Sequence, residues 1–89
     1  MEVSIIITNY NYGDYLERSL RSCINQKMIH EKQFEVIVVD DCSNDHSKKI
    51  LSNYSNEVKT IFLDENKGVA FASNEGIQHS KGRFVVRVD

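Results

Sequence analysis

The chain has 89 residues, of which 40% are hydrophobic and 27% charged, and its net charge is −2 at pH 7. This length allows one domain at most, and the composition is that of an ordinary soluble globular protein. The small net charge argues against a nucleic-acid surface or a polybasic membrane patch. The apolar runs are far shorter than the roughly 20 residues that span a bilayer, and the first residues do not resemble a secretory signal.

Two cysteines, Cys23 and Cys42, are present. Their spacing matches neither a metal-binding motif nor a disulfide framework. We therefore expect two free thiols, as in a protein of the reducing cytoplasm.

Strand and helix patterns alternate along the whole chain. Strands are predicted at Val3–Thr8, Phe34–Asp40, Val58–Leu63 and Arg83–Val88. Helices are predicted from Asp14 onward, from about Asp45 to Tyr54, and from Val69 to about His79. Because this alternation is typical of right-handed β-α-β crossovers, we expect an α/β fold with a parallel four-stranded sheet and helices on its faces.

The first helix has a recognisable start and an apolar stripe. Asp14 is the predicted N-cap, and Glu17 three residues later completes a capping-box pattern. The residues expected to face the sheet are Leu16, Leu20, Cys23 and Ile24. The polar stretch Met28–Gln33 is predicted to be a connection. In the third helix, Gly76 either weakens the helix or allows close packing.

The stretch from Val36 to Ser47 carries the strongest indication of a site. Four consecutive β-branched residues, 36–39, predict a strand buried on both faces, and Asp40 and Asp41 follow without a gap. Ligands of open α/β sheets bind beyond the carboxyl ends of the strands. One interpretation is that a cation, or hydrogen-bond donors of a ligand, offsets the two adjacent negative charges. The other is that both aspartates are solvated turn residues and that one of them caps the next helix. Ser43 is better explained as a cap than as a nucleophile.

Glycine-rich phosphate motifs are absent from the chain. No G-x-G-x-x-G follows the first strand, and no G-x-x-x-x-G-K-[ST] occurs. A nucleotide could still bind if carboxylates held Mg²⁺ or Mn²⁺ against its phosphates. Tyr10 would then offer an aromatic face to the base, while Thr8 and one of the aspartates would meet its polar edge. The alternative to base binding is that Tyr10 is an ordinary aromatic residue of a loop and that Thr8 is an ordinary strand residue.

Four motifs together resemble the N-terminal part of the family 2 glycosyltransferases, which are inverting enzymes of the GT-A fold. The strand-end turns match at Thr8, Tyr10 and Asn11, and then at Val39, Asp40, Asp41, Ser43 and Asp45. The third helix and the following turn match at Asn66, Gly68, Ala72, Asn74, Gly76, Ile77 and Gly82. Two positions depart from the pattern: Ser73 stands where the family often has Arg, and Asn9 occupies a variable turn position.

The resemblance implies a three-layer Rossmann-like fold in which the first strand lies between the second and the fourth. It implies that residues 1–89 are the nucleotide-binding part of a glycosyltransferase domain whose acceptor half is absent. It also implies that Thr8, Tyr10, Asp40, Asp41 and Asp89 bind a nucleotide-sugar donor, with a UDP-sugar favoured. Asp89 matches the first Asp of an Asp-x-Asp motif that is incomplete in these residues, because the last Asp, normally the metal-binding one, is absent. The resemblance still implies that Asp89 contributes to binding Mn²⁺ or Mg²⁺.

The implied parent enzyme transfers a sugar to the hydroxyl of a saccharide acceptor with inversion, as in polysaccharide biosynthesis in the cytoplasm. No catalytic base is expected within these residues, so the 89 residues alone should be inactive. The open edge of the fourth strand predicts self-association. Two alternatives stay open: a receiver-like signalling domain that binds Mg²⁺ at the acidic pair, and a non-catalytic α/β binding or dimerisation module.

Overall fold

The computed structural model describes residues 2–30 and 34–88, with side chains described for 2–25 and 34–88. Four strands are present: β1 (Val3–Asn9), β2 (Phe34–Asp40), β3 (Lys59–Phe62) and β4 (Phe84–Val88). Three helices connect them: α1 (Gly13–His30), α2 (Ser47–Ser52) and α3 (Val69–Gln78). The predicted alternation of strands and helices is confirmed.

The strands form one parallel sheet in the order β3-β2-β1-β4. Ile6 of β1 is level with Ile37 of β2 on one side and with Arg87 of β4 on the other. β2 therefore lies on one side of β1 and β4 on the other, so the strand order reverses at β1. Such a reversal of strand order opens a crevice at the carboxyl ends of the strands.

Apolar side chains cover both faces of the sheet. Residues 36–39 of β2 are at most 2% exposed, as a strand buried on both faces requires. The core on the α1 and α2 side is formed by Ile5, Ile7, Leu16, Leu20, Cys23, Val36, Val38, Leu51 and Val58. The core on the α3 side is formed by Ile6, Ile37, Val39 and Ala72. These two cores make the three-layer arrangement expected from the sequence.

Gly76 lets α3 lie close to the sheet. A Cβ atom at Gly76 would lie 2.5 Å from Cγ2 of Ile6 and 3.2 Å from Cγ2 of Val39. Real Cβ atoms do not approach this closely, so a larger side chain would push α3 off the sheet. Of the two readings of this glycine, close packing is the one that the structure supports.

The start of α1 differs from the prediction. Gly13 is its first residue, and the carbonyl of Tyr12 accepts the backbone N–H groups of Tyr15 and Leu16 at 2.9 Å each. Asp14 therefore lies in the first turn rather than at the N-cap, where its charge still favours the helix N-terminus. The helix also continues through Met28–His30, which were predicted to be a connection, and residues 31–33 lie outside the described residues.

Helix α2 is shorter than predicted because turns replace its two ends. Asp45 lies before the helix, where its carboxylate accepts the backbone N–H of Ser47 at 2.9 Å. After Ser52 the chain enters turns, and the carbonyl of Tyr54 accepts the backbone N–H of Val58 at 3.0 Å. The ring of Tyr54 still packs against the core, as expected from its position.

The amino-terminal end of the sheet is closed by polar contacts around Glu35. Its carboxylate accepts hydrogen bonds from the hydroxyl of Ser4 and, at 2.6 Å, from the backbone N–H of Lys81. The hydroxyl of Ser4 in turn accepts the backbone N–H of Gly82 at 2.8 Å. These contacts hold the turn before β4 against β1 and β2, at the end of the sheet opposite the crevice.

Within the described ranges, none of the helices has the length and apolar content to cross a membrane. Cys23 and Cys42 are free thiols, as predicted.

Candidate functional site

A crevice of about 320 Å³ opens at the carboxyl ends of β1 and β2 and beside α3. Its walls include Thr8, Tyr10, Tyr12, Asp41, Ala72 and Arg87. The strand order implied by the family resemblance predicts a crevice beside Thr8 and Asp89. The structure has a crevice beside Thr8, whereas Asp89 lies outside the described residues.

Thr8 and Tyr10 lie on one wall of this crevice, at the end of β1 and in the loop that follows. Thr8 is level with Val39 of β2 and is half-buried. Tyr10 is 42% exposed. An aromatic face of this kind is available for stacking, and the Thr8 hydroxyl offers both a donor and an acceptor.

Asp41 lies on the same crevice and is 4% exposed. Its Oδ1 accepts the backbone N–H of Lys67, and its Oδ2 accepts that of Gly68, each at 2.8 Å. These donors stand at the N-terminus of α3, where the helix dipole also favours negative charge. Because each carboxylate oxygen has a second lone pair, Asp41 can still accept a hydrogen bond from a ligand.

The structure does not bring Asp40 to the crevice with Asp41. Asp40 is fully buried, and its Oδ1 accepts the Ser43 hydroxyl at 2.7 Å and the Asn9 amide at 2.9 Å. Its Oδ2 accepts the backbone N–H of Ser43 at 3.0 Å. The chain itself thus supplies the donors that offset both charges of the acidic pair. Neither aspartate is a solvated turn residue, so that reading of the pair is wrong.

The loops after β1 and β2 are bonded to one another. Ser43 does not cap a helix, contrary to expectation, because its hydroxyl accepts the backbone N–H of Asn11 at 2.9 Å. The side-chain oxygen of Asn11 accepts the N–H groups of Asn44 and Asp45 at 2.8 and 3.2 Å. Asn11 and Cys42 adopt left-handed backbone conformations, with φ of 56° and 63°. These contacts fix the crevice walls relative to each other.

Asp45 joins the second loop to the start of α1. Its Oδ2 accepts the backbone N–H of Gly13 at 3.0 Å. Burial acting alone would raise the pKa of the Asp45 carboxyl, but donors from Ser47 and Gly13 and the nearby His46 outweigh it and lower the pKa. The carboxylate form is therefore the one that the folded loop stabilises.

Asp89, the predicted metal ligand, lies outside the described residues. Among residues 2–30 and 34–88, no group of three His, Cys, Asp or Glu side chains is arranged to hold a metal ion.

Sequence reasoning missed three contributors to this region. Asn9, which the sequence places at a variable turn position, is 4% exposed, and its amide donates to Asp40 and, at 3.3 Å, to the Ser43 hydroxyl. The N–H groups of residues 67 and 68 hold Asp41, and backbone donors leave no side-chain signal in a sequence. Arg87 lines the crevice from β4, and a charged residue within an apolar strand was the available signal.

The family model described as "Glycosyl transferase family 2" matches residues 4–89. The chain belongs to this family. TuaG of Bacillus subtilis, a protein to which a glycosyltransferase role in teichuronic acid biosynthesis is attributed, is 37% identical over 98% of the chain and 34% of its own length. The poly(ribitol-phosphate) beta-N-acetylglucosaminyltransferase TarS of Staphylococcus aureus is 35% identical over 100% of the chain and 16% of its own length.

Solved structures of glycosyltransferases share the fold of this family 2 chain. A crystal structure of S. aureus TarS 1-349 in complex with UDP-GlcNAc has a TM-score of 0.88 and 35% identity, over 100% of this chain and 26% of that one. The mannosyltransferase PcManGT from Pyrobaculum calidifontis, in complex with GDP-Man and Mn²⁺, has a TM-score of 0.78 and 25% identity. The match covers 94% of this chain and 26% of that one. The Rossmann-like GT-A fold is confirmed, and the chain spans about a third or less of these proteins.

Proposed function

We propose that residues 1–89 are the nucleotide-binding part of a family 2 glycosyltransferase and that the crevice holds the nucleotide of a sugar donor. One observation carries the proposal: Thr8, Tyr10 and Asp41 line a single crevice at the carboxyl ends of the strands. The similarity to TarS in complex with UDP-GlcNAc supports a UDP-sugar as the donor.

Each wall residue has a role suited to its chemistry. Tyr10 stacks on the base, Thr8 bonds its polar edge, and Asp41 accepts a ring N–H with a free lone pair. The family resemblance groups Asp40 with these three residues, but its carboxylate is fully buried. Asp40 therefore acts indirectly, by holding the turn that contains Ser43. Asp40 is thus a positioning residue.

The parent reaction in this proposal is sugar transfer to a saccharide hydroxyl with inversion, in polysaccharide biosynthesis. Inversion needs a base that takes the proton of the attacking hydroxyl, and we place that base and the acceptor site outside these 89 residues. Asp89 is the chain's proposed contribution to binding Mn²⁺ or Mg²⁺. The complex of PcManGT with both GDP-Man and Mn²⁺ supports the use of a divalent metal together with the donor.

Calorimetric titration of the full protein with UDP and Mn²⁺ tests the donor site. We expect saturable binding that Asp41→Asn weakens roughly 10- to 100-fold, because a carboxylate acceptor is replaced by a neutral amide. Asp64→Asn is the matched control, since Asp64 is exposed and does not line the crevice. No saturable heat with the unmodified full protein would overturn the proposal.

Family membership does not favour either alternative from the sequence. A receiver-like domain carries its acidic pair after its first strand, whereas Asp40 and Asp41 follow the second strand of this sheet. A binding module without chemistry does not account for the match to a glycosyltransferase family over residues 4–89.

A further inference from the structure

β3 forms one edge of the described sheet, because it pairs with β2 on one side only. The backbone N–H of Leu63, just after this strand, donates to the carbonyl of Asp40 on β2 at 2.9 Å. Successive residues of a strand direct their backbone groups to opposite sides, so those of Thr60 and Phe62 point away from β2. These outward N–H and C=O groups are the ones that a further strand would bond.

This edge carries apolar side chains on both faces of the sheet. Ile61 and Leu63 pack against the core beneath α3, so the odd-numbered positions face α3. Phe62 lies on the opposite face and is 52% exposed. A groove of about 340 Å³ lies beside it, between β3 and α2, with Leu51 and Val58 among its lining residues. An exposed aromatic ring beside an open groove is a surface that a partner can cover.

The sequence of this edge is complementary to itself when it is read in the opposite direction. If two copies pair antiparallel, the residues that lie opposite each other must be on the same face of the joined sheet. A two-fold axis at Phe62 meets this condition, because Phe62 then lies opposite itself and Ile61 lies opposite Leu63. Lys59 lies opposite Glu65 in this register, so a cation meets an anion on each side of the axis.

The charges favour this register over its neighbours. Moving the axis one residue toward the N-terminus places Glu57 opposite Glu65. Moving it one residue toward the C-terminus places Lys59 opposite Lys67. Because like charges directly opposite each other destabilise a strand pair, the charges select the axis at Phe62. Glu65 bonds Lys67 of its own chain at 3.4 Å, but its side chain is 69% exposed and can also reach a second cation.

We propose that the outer edge of β3 is a docking surface for a second copy of the chain, paired antiparallel about a two-fold axis at Phe62. The backbone groups of Phe62 bond those of its counterpart, and Thr60 bonds Asp64 of the other copy on either side. Because both copies use the same surface, the assembly closes at two chains. The chain bends at residues 64 and 65, so the ladder is short and the pairing is weak and reversible.

This inference goes beyond the proposed function. The groove beside β3 shares no lining residue with the crevice at the carboxyl ends of the strands. Pairing at β3 and donor binding can therefore be tested separately.

Sedimentation velocity of the full protein over a range of concentrations measures the pairing. We expect a mass that rises from one chain and levels off at two. Lys59→Glu and Glu65→Lys should each lower the association constant roughly 3- to 30-fold, because each places like charges opposite each other on both sides of the axis. Lys48→Glu is the matched control, since Lys48 is exposed on α2 and does not line the groove.

An equimolar mixture of the two charge variants separates pairing across the axis from effects within one chain. In a mixed pair, the chain with Lys59→Glu presents anions and the chain with Glu65→Lys presents cations, so every contact again joins opposite charges. We expect the mixture to pair within about threefold of the unmodified protein, although each variant alone pairs weakly. Loss of the ion pair between Glu65 and Lys67 would not be repaired by mixing.

Thr60→Pro tests the backbone ladder. The N–H of Thr60 points away from β2, so proline removes a donor of the open edge and none of the bonds to β2. We expect an unchanged circular-dichroism spectrum and pairing that is roughly tenfold weaker.

Three results would overturn the inference: an unmodified full protein that is a monomer at every concentration, a Lys59→Glu variant that pairs as tightly as the unmodified protein, or a mixture that restores nothing. Growth beyond two chains that these variants leave unchanged would assign the association to another surface, such as the outer edge of β4, and would overturn it as well.

Discussion

The carboxylate of Asp41, just beyond the end of β2, accepts the backbone N–H of Gly68, just before α3, over 2.8 Å. The N-terminus of α3, which follows much later in the chain, thus orients the side chain of Asp41 at the crevice. Gly68 has φ 93° and ψ 163°, a conformation that essentially only glycine adopts. The orientation of Asp41 therefore depends on this glycine.

Gly68→Ala should lower the free energy of unfolding by roughly 1–3 kcal/mol, as expected for a side chain forced into this backbone region. No heavy atom lies within 4 Å of the added Cβ, so the cost comes from strain and not from a clash. Urea unfolding measures the change, and UDP affinity should fall too as the N–H shifts from Asp41. Ala70→Ser, on the exposed side of the same helix start, is the control. Equal stability of Gly68→Ala and unmodified protein would refute this account of Gly68.

Asp40→Asn should destabilise the protein by about 1.5–3 kcal/mol, because an amide N–H₂ would face donors that now bond a buried carboxylate. The affected donors are the amide of Asn9 and the N–H and hydroxyl of Ser43. Urea unfolding of the variant gives the difference directly. Asp64→Asn, at an exposed loop position, should stay within about 0.5 kcal/mol of the unmodified protein. Similar stabilities for the two variants would contradict the structural role of Asp40.

Much of the fold follows from local pattern. The aliphatic run from Val36 to Val39 predicted a strand buried on both faces, and the structure has one at the centre of the sheet. That Thr8 and Asp41 share a crevice also followed from the rule that carboxyl ends of parallel strands meet at one edge. The order of the strands, which places β1 between β2 and β4, is by contrast what the family resemblance implied and not what the alternation of elements showed.

The roles of Asp40 and Arg87 could not be predicted in this way. Consecutive residues of an extended chain point in opposite directions, but the pattern does not say which of Asp40 and Asp41 is buried. Asn9 at the end of the neighbouring strand β1 and Ser43 in the turn just after Asp40 decide it. In the same way, the contact of Arg87 with Ser73 arises from the packing of α3 on the sheet, which no local spacing encodes.

Acidification should weaken the amino-terminal end of the sheet through Glu35. Burial acting alone would raise the pKa of the Glu35 carboxyl, but hydrogen bonds from Ser4 and Lys81, with the charges of Lys59 and Lys81, outweigh it and lower the pKa. A carboxyl with a lowered folded pKa contributes stability above its unfolded pKa. That contribution is lost as the pH falls below the ordinary value of 4.5 and through the lower folded pKa.

Urea unfolding between pH 7 and pH 3 tests the contribution of Glu35. Unmodified protein should lose more stability over the acid part of this range than Glu35→Gln, whose side chain does not titrate. The variant should also be the less stable of the two at pH 7, because it lacks the charged acceptor for Ser4 and Lys81. Glu65→Gln, in an exposed loop, provides a control with the same change of charge. Parallel pH curves for Glu35→Gln and unmodified protein would rule out this role of Glu35.

The outer edge of β4 should make the 89-residue chain self-associate. β4 pairs with β1 on one side and is the last strand of the described sheet, and its residues Phe84, Val85 and Val86 are 59%, 40% and 48% exposed. An apolar edge strand offers unpaired backbone groups to a second chain.

We expect light scattering of the 89-residue chain to show a mass that rises with concentration. Val86→Lys should reduce this rise in mass, because a charge on an edge strand opposes pairing. Ile77→Lys makes the same change on α3, where Ile77 is 46% exposed, and should leave the association intact. A monodisperse monomer at all concentrations would show that this edge does not pair.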